Sequence, residues 1–107
     1  MKFDDYQKKV LSTVLPTSDS IPYAALGLAN EAGEVAGKIK KWIRDSDSDL
    51  SKLDKQALAD ELGDTLWYLS FLAYKAGLSL DDIASGNIDK LQDRKKRDVL
   101  HGSGDNR

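Results

Sequence analysis

The amino-acid sequence predicts an all-α fold, an antiparallel bundle of four helices formed by one domain of 107 residues. Apolar residues recur every three to four positions along most of the chain, which is the period of an amphipathic helix. Proline, glycine and short Ser- and Asp-rich stretches separate the periodic segments, and no segment alternates in the manner of a half-buried strand. One segment is apolar almost all round, so we expect oligomerisation to complete the bundle.

The helix boundaries follow from residues that favour helix ends. A first helix is expected to end before Pro16, and Pro22 suits the first turn of the second. Asp54 can cap the third helix, which stops at Gly77, and Ser79 can begin the fourth. The predicted helices therefore cover about 3–14, 22–44, 55–76 and 79–97, with an acidic, mobile connector at 45–49 and a glycine-punctuated tail at 98–107.

Composition excludes several classes of function. The chain carries 16 Lys and Arg against 18 Asp and Glu, a net charge of −2, which gives no bulk attraction for nucleic acid or anionic membrane. Cysteine is absent, so disulfide and thiol chemistry are ruled out. The first residues contain no apolar signal segment, and the longest apolar run is too short to span a bilayer. We therefore expect a soluble protein of the cytoplasm.

Two carboxylate pairs are the main functional signal. Glu31 and Glu34 stand three residues apart in the second predicted helix, and Glu61 and Asp64 repeat that spacing in the third. Residues i and i+3 are neighbours on a helix surface, with Cβ atoms about 5–6 Å apart. Each pair can therefore present two carboxylates to one point, and two such helices side by side would form a cage of four carboxylates.

The residue types in this cage favour a hard divalent cation. Carboxylate and water oxygens suit Mg²⁺, with Mn²⁺ as a possible substitute. A di-iron bundle would require Glu-x-x-His motifs, and the single histidine, His101, lies in the tail. The alternative is a solvated helix edge in which acids pair with nearby bases, for example Glu34 with Lys38.

Several further residues are candidates for contacting a phosphorylated substrate. The fourth helix carries Asn87, Lys90 and Arg94 on one stripe, and Lys38 can add to them. An ordinary solvated helix end with basic residues explains the same stripe equally well. Tyr68 lies one turn past Asp64 and so near the metal, where it could touch sugar or base. Trp42 and Trp67 could stack on a base, although packing explains each of them more simply.

The sequence resembles the MazG-like nucleotide pyrophosphohydrolases over nearly its whole length. The resemblance rests on ALGLANEAGEV at 25–35, ELGDTLWY at 61–68, NIDKLQDR at 87–94 and LHGSGDNR at 100–107. It implies an all-α fold in which Glu31, Glu34, Glu61 and Asp64 bind Mg²⁺ while a nucleoside triphosphate is cut to monophosphate and pyrophosphate. One departure is Asn30, where many members of that family have a further Glu.

The chemistry of these residues agrees with that activity. Hydrolysis of a phosphoanhydride requires neutralised phosphate charge and an activated water, which clustered Mg²⁺ ions supply. Glu34 and Glu61 are the expected catalytic residues, with Glu34 accepting the proton of the water. The alternatives are a phosphoribosyl-ATP pyrophosphohydrolase, a non-catalytic helical interaction module and, more weakly, nucleic-acid binding through residues 90–97.

Overall fold

A computed structural model describes all 107 residues of the chain, and it contains four α-helices and no strand. This confirms the all-α class predicted from the sequence. The helices are α1 (Phe3–Val10), α2 (Ile21–Ser46), α3 (Lys55–Lys75) and α4 (Leu80–Lys96), and three short 3₁₀ turns occupy Leu11–Thr13, Pro16–Ser18 and Leu50–Lys52. No helix is both long enough and apolar enough to cross a membrane.

Polar side chains cap the three longer helices. The Ser20 hydroxyl accepts a hydrogen bond from the Tyr23 amide at 3.2 Å, and the Asp54 carboxylate accepts one from the Ala57 amide at 2.9 Å. The Ser79 hydroxyl likewise accepts a hydrogen bond from the Asp82 amide in the first turn of α4. These caps satisfy amide groups that have no partner within the helix. The sequence located the starts of α3 and α4 from Asp54 and Ser79, and that of α2 from Pro22.

The first helix is shorter than the sequence predicted. It ends at Val10 and continues as a 3₁₀ turn, because two side chains there compete for backbone carbonyls. The Ser12 hydroxyl donates to the Lys9 carbonyl at 2.6 Å, and the Thr13 hydroxyl donates to the Val10 carbonyl at 2.9 Å. Such local bonds offer the backbone an alternative to a continued helix.

A small core joins α1 to α2 and α3. Val10, Ala24 and Phe71 are buried, and five half-buried neighbours pack around them: Tyr6, Leu11, Val14, Trp67 and Leu72. The buried amide of Gln7 donates to the Leu78 carbonyl at 2.9 Å and to the Ser70 carbonyl at 3.3 Å. α1 therefore ties the turn after α3 to the core, and α4 packs on α1.

The α2 and α3 helices pack along each other in opposite directions. Gly27 meets Tyr68 near the start of α2, whereas Trp42 shares a cavity with Leu53 at its other end. A helix turns about 100° per residue, so Leu58, Leu62, Leu66 and Leu69 fall within an arc of about 80° on α3. That arc lies roughly opposite Phe71, the residue that meets α1, and Leu62 is 51% exposed.

The matching arc of α2 continues this apolar surface. Ala25, Ala32, Ala36 and Ile43 are all exposed and lie about 70–110° round from the α3-facing side, in the same rotational sense as the leucines. In an antiparallel pair, equal rotation in the same sense brings both arcs to one side. The name leucine face is used below for these four residues together with Leu58, Leu62, Leu66 and Leu69.

The expectation that α3 is buried on both sides holds for only one side within the chain. Phe71 is 1% exposed and belongs to the core of its own chain, whereas Leu62 and Leu69 are open to solvent. The radius of gyration is 16.8 Å, above the value of about 13 Å expected for a compact domain of this length. Phe71 is therefore not an interface residue, and the uncovered apolar surface of α3 is its leucine side.

Candidate metal and nucleotide site

Three of the carboxylates meet between α2 and α3. Glu31 lies on the side of α2 that faces α3, and Glu61 lies on the facing side of α3. One carboxylate oxygen from each of Glu31, Glu61 and Asp64 can be chosen so that all three lie within 4.8 Å of one another. These three residues are called the carboxylate group below. Their helix spacing and the antiparallel pairing together account for the convergence.

The electrostatics of the carboxylate group are unfavourable without a cation. Desolvation raises the pKa of the Glu31 carboxyl above its usual value, and the negative charges of Asp64 and Glu61 raise it further. No Lys or Arg lines the adjoining cavity. Three oxygen donors without histidine or cysteine form a ligand set that suits Mg²⁺ or Mn²⁺.

Glu34 stands apart from the carboxylate group. Its side chain is exposed on α2 and is not one of the three residues whose oxygens converge. It is nevertheless close enough to Glu31 for its charge to contribute to the raised pKa of that carboxyl. Its roles as a fourth ligand and as the acceptor of a proton stay predictions.

A cavity of about 390 Å³ opens beside the carboxylate group. Glu31 and Asp64 form part of its wall, and the other lining residues are Thr13, Leu15, Thr17, Ser18, Tyr23, Trp67 and Tyr68. Its volume is near the lower end of the range for small-molecule sites. The cavity combines an acidic end with an aromatic and hydroxyl-lined interior.

The hydroxyl-bearing rim of this cavity was not identified from the sequence, which indicated only a loop between the first two helices. Thr13 accepts a hydrogen bond from the Trp67 indole at 2.8 Å, which ties the rim to α3. The Ser18 hydroxyl donates to the Leu15 carbonyl at 2.9 Å within the second 3₁₀ turn. The density of Ser and Thr at 12–20 was the available signal, but such residues are common in ordinary turns.

Tyr68 occupies the position that the sequence suggested, beside the carboxylate group. Burial raises the pKa of its phenol, and the nearby Tyr23 and Glu31 raise it further. The Tyr68 ring lies edge-on to Trp67, with ring centroids 4.9 Å apart. Two aromatic side chains of α3 and one of α2, Trp67, Tyr68 and Tyr23, thus line the cavity.

The basic candidates lie elsewhere within the single chain. Lys38 lines a separate cavity of about 200 Å³ with Lys41 and Trp42, near the far end of α2. Asn87 and Lys90 are exposed on α4, which packs on α1, and neither lines the cavity beside the carboxylate group. Contacts between these residues and phosphate stay predictions.

Arg94 is held by the C-terminal tail. It is 4% exposed, and its guanidinium donates to the Asp105 carbonyl at 2.7 Å. Arg107 reinforces this fold of the tail by donating to the Val99 carbonyl at 3.0 Å. Within this arrangement Arg94 is an anchor for residues 98–107, which is the alternative to the phosphate-binding role that the sequence suggested.

Comparison with known proteins assigns the chain to a family. The family model of the MazG nucleotide pyrophosphohydrolase domain matches residues 22–99, which include all four acids. The chain therefore belongs to the MazG family, as its resemblance indicated. It is 43% identical over 89 residues to the Gene 37 protein of Mycobacterium phage L5, covering 83% of this chain and 78% of that protein. No solved structure matches.

Proposed function

We propose that this protein is a Mg²⁺-dependent nucleoside triphosphate pyrophosphohydrolase that cleaves a ribo- or deoxyribonucleoside triphosphate to the monophosphate and pyrophosphate. The observation that carries the proposal is the convergence of Glu31, Glu61 and Asp64 within 4.8 Å, beside a cavity that Glu31 and Asp64 line. Membership of the MazG family supports the same reaction class. Nucleotide-pool cleansing and a cytoplasmic location are parts of this proposal.

Each residue of the site has a proposed task. Glu31, Glu61 and Asp64 hold Mg²⁺, and Mn²⁺ can replace it. The bound cation neutralises charge on the phosphates and lowers the pKa of a coordinated water. Glu34, which is exposed and close enough to Glu31 for its charge to act on that carboxyl, accepts the proton of the attacking water. Lys38, Asn87, Lys90 and Arg94 keep their proposed role in contacting phosphate only where a rearrangement or a second subunit brings them to the acids.

The lining of the cavity supports one orientation for the bound nucleotide. The triphosphate lies at the acidic end, because only there can a cation offset its charge. The sugar and base then extend toward Trp67 and Tyr68, whose rings offer apolar and π surfaces for them. Thr17 adds a hydroxyl to the same wall.

A nucleotide panel with product analysis tests the proposal. With Mg²⁺ or Mn²⁺, at least one triphosphate should yield monophosphate and pyrophosphate, and EDTA should stop the reaction. Release of diphosphate and orthophosphate, or no turnover across canonical and modified nucleotides, would contradict it. Phosphoribosyl-ATP belongs in the panel, because turnover of that compound alone would favour the related pyrophosphohydrolase. A non-catalytic interaction module would show no stabilisation by either cation.

We further propose that the active protein is a homo-oligomer, a dimer at minimum, formed through the leucine face. Leu62 and Ile43 are more than half exposed on one continuous apolar surface of α2 and α3. A second copy is the proposed partner, since a symmetric dimer buries the same surface on both chains. Two α2–α3 pairs packed in this way would complete a four-helix bundle.

A further inference from the structure

The Tyr68 ring separates two cavities on the carboxylate side of the α2–α3 pair. The larger, about 390 Å³, contains the acidic end described above. The smaller, about 240 Å³, is lined by Tyr23, Leu26, Gly27 and Asn30 together with Tyr68. Because Tyr68 and Tyr23 line both cavities, these two side chains form the boundary between them.

Gly27 allows the Tyr68 ring to occupy this position. A Cβ atom added at Gly27 would overlap the Cδ1, Cε1 and Cζ atoms of that ring. A Cβ atom at Gly33, Gly37 or Gly63 would meet no atom within 4 Å. Among the glycines of α2 and α3, only Gly27 is therefore required by a close approach.

The Tyr68 ring also contacts the neighbouring tryptophan. Trp67 contacts Tyr68 with an interplanar angle of 77°, and its indole is itself bonded to Thr13 at 2.8 Å. The Tyr68 ring therefore contacts both the α2 backbone at Gly27 and a tryptophan whose indole is itself anchored. A side chain held in this way presents a rigid surface to a ligand.

We propose that Tyr68, seated on Gly27, is the wall that limits the size of the base, so that the larger cavity accepts a pyrimidine nucleoside and disfavours a purine. The inference rests on the proposed function, because it places the triphosphate at the carboxylate group. Gly27 is a positioning residue in this arrangement, since it acts only through the Tyr68 ring. Without the ring, the two cavities join, and the boundary that excludes the second ring of a purine is lost.

Calorimetric binding of α,β-imido analogues of dCTP and dATP with Mg²⁺ tests the wall, because these analogues cannot be cleaved at the α–β bond. The wild-type protein should bind the dCTP analogue more tightly. Tyr68→Ala should reduce that preference by at least about tenfold, the scale on which a hydrophobic pocket discriminates by size. Tyr68→Phe keeps the ring and should keep the preference.

The role of Gly27 requires matched glycine variants. Gly27→Ala should change the preference by at least about threefold, whereas Gly37→Ala, the same change on the same helix, should not alter it. In a Tyr68→Ala background, Gly27→Ala should have no effect, because the atoms it displaces are absent. Thermal unfolding of each variant checks that the fold is intact.

The outcomes separate the wall from the reaction. Turnover by the wild type with an equal preference in all variants would overturn the wall and leave the proposed function standing. Absence of turnover with a preference that responds to Tyr68 and Gly27 would overturn the function and leave the wall. Equal binding of both analogues by the wild type, or binding of neither, overturns the wall, and the nucleotide panel then decides the proposed function by itself.

Discussion

The two sides of the α2–α3 pair are built from the same helical spacing and have opposite chemical character. On one side Glu31, Glu61 and Asp64 converge, and residues of the two 3₁₀ turns that follow α1 line a cavity beside them. On the other side the leucine face has three alanines and Ile43 on α2, four leucines on α3 and no covering element in the chain. The difference shows that one helix pair can present a polar site and an exposed apolar surface on different sides.

This comparison also explains how the carboxylates are tolerated. Desolvation raises the pKa of Glu31, and repulsion within the carboxylate group raises it further, so the site is unfavourable for the free protein. The core of Val10, Ala24 and Phe71 holds the helices together nearby. In the proposed dimer, the leucine face adds apolar burial to the same pair of helices, which offsets the electrostatic cost of the site.

The largest expected effect comes from the carboxylate side. Glu61→Gln and Asp64→Asn should each lower turnover on the order of 10³-fold, because metal coordination contributes several kcal/mol to the transition state. In EDTA both variants should be as stable as the wild type or more stable, since one negative charge has left the group. Activity assays with Mg²⁺ measure the loss of turnover, and calorimetry in EDTA measures the stability of each variant.

Asp60→Asn is the matched control for that experiment. Asp60 precedes Glu61 on α3, is exposed and accepts a hydrogen bond from the Gln56 amide at 2.9 Å. It lies outside the carboxylate group, so its neutralisation should leave turnover near the wild-type value. A fully active Asp64→Asn variant would show that this acid is not a ligand.

The second effect distinguishes a core aromatic residue from the leucine face. Phe71→Ala should lower the free energy of unfolding by about 3–5 kcal/mol at any protein concentration, because it opens a cavity within one chain. Leu69→Ala should destabilise the protein in a concentration-dependent way if the leucine face forms a dimer. Denaturation at two protein concentrations shows whether the loss of stability depends on concentration. The same dependence for Phe71→Ala and Leu69→Ala would contradict the distinction between the two sides of α3.

The third effect concerns the leucine face alone. The wild-type protein should sediment at twice the chain mass of 11.8 kDa or more at micromolar concentration. Leu62→Asp should weaken association by at least about 100-fold, since an unpaired carboxylate buried in an interface costs several kcal/mol. Ser85→Asp adds the same charge to an exposed position of α4 and serves as control. A folded wild-type monomer would remove the proposed dimer.

How far the sequence could anticipate this arrangement differs between helices and loops. The apolar period and the caps at Asp54 and Ser79 locate the helices, and the i, i+3 spacing places Glu31 beside Glu34 on one helix and Glu61 beside Asp64 on the next. These features depend on local geometry, which the sequence encodes directly.

The features that the sequence did not reveal depend on tertiary contacts. Helix α3 is apolar on two sides, and nothing local indicates that α1 covers Phe71 and leaves Leu62 exposed. The loop residue Thr17 joins the cavity only because the 3₁₀ turns fold back toward α3. The burial of Arg94 likewise depends on Asp105 in the tail, eleven residues further along the chain.

The smallest expected effect concerns Asp4, a carboxylate with the opposite environment to the carboxylate group. The Asp81 amide donates to it at 3.0 Å and the Ser79 hydroxyl at 2.8 Å, which joins α1 to the start of α4. These hydrogen bonds hold the pKa of Asp4 below its usual value of 3.8. A depressed pKa stabilises the fold above pH 3.8, and this contribution is lost as the pH falls through the lower value of the folded state.

Asp4→Asn should therefore lower the Tm at pH 7 by less than Phe71→Ala does, and the difference from the wild type should narrow as the pH falls below 3.8. Asp89→Asn, at an exposed position of α4, should produce no such narrowing. Thermal unfolding of the three proteins between pH 2.5 and 7 in EDTA, a range of about five units that spans the titration of carboxyl groups, provides the measurement. A Tm difference between Asp4→Asn and the wild type that stays constant with pH would show that Asp4 acts through packing alone. The hydrogen-bond donors at the start of α4 would then not distinguish Asp4 from the carboxylate group.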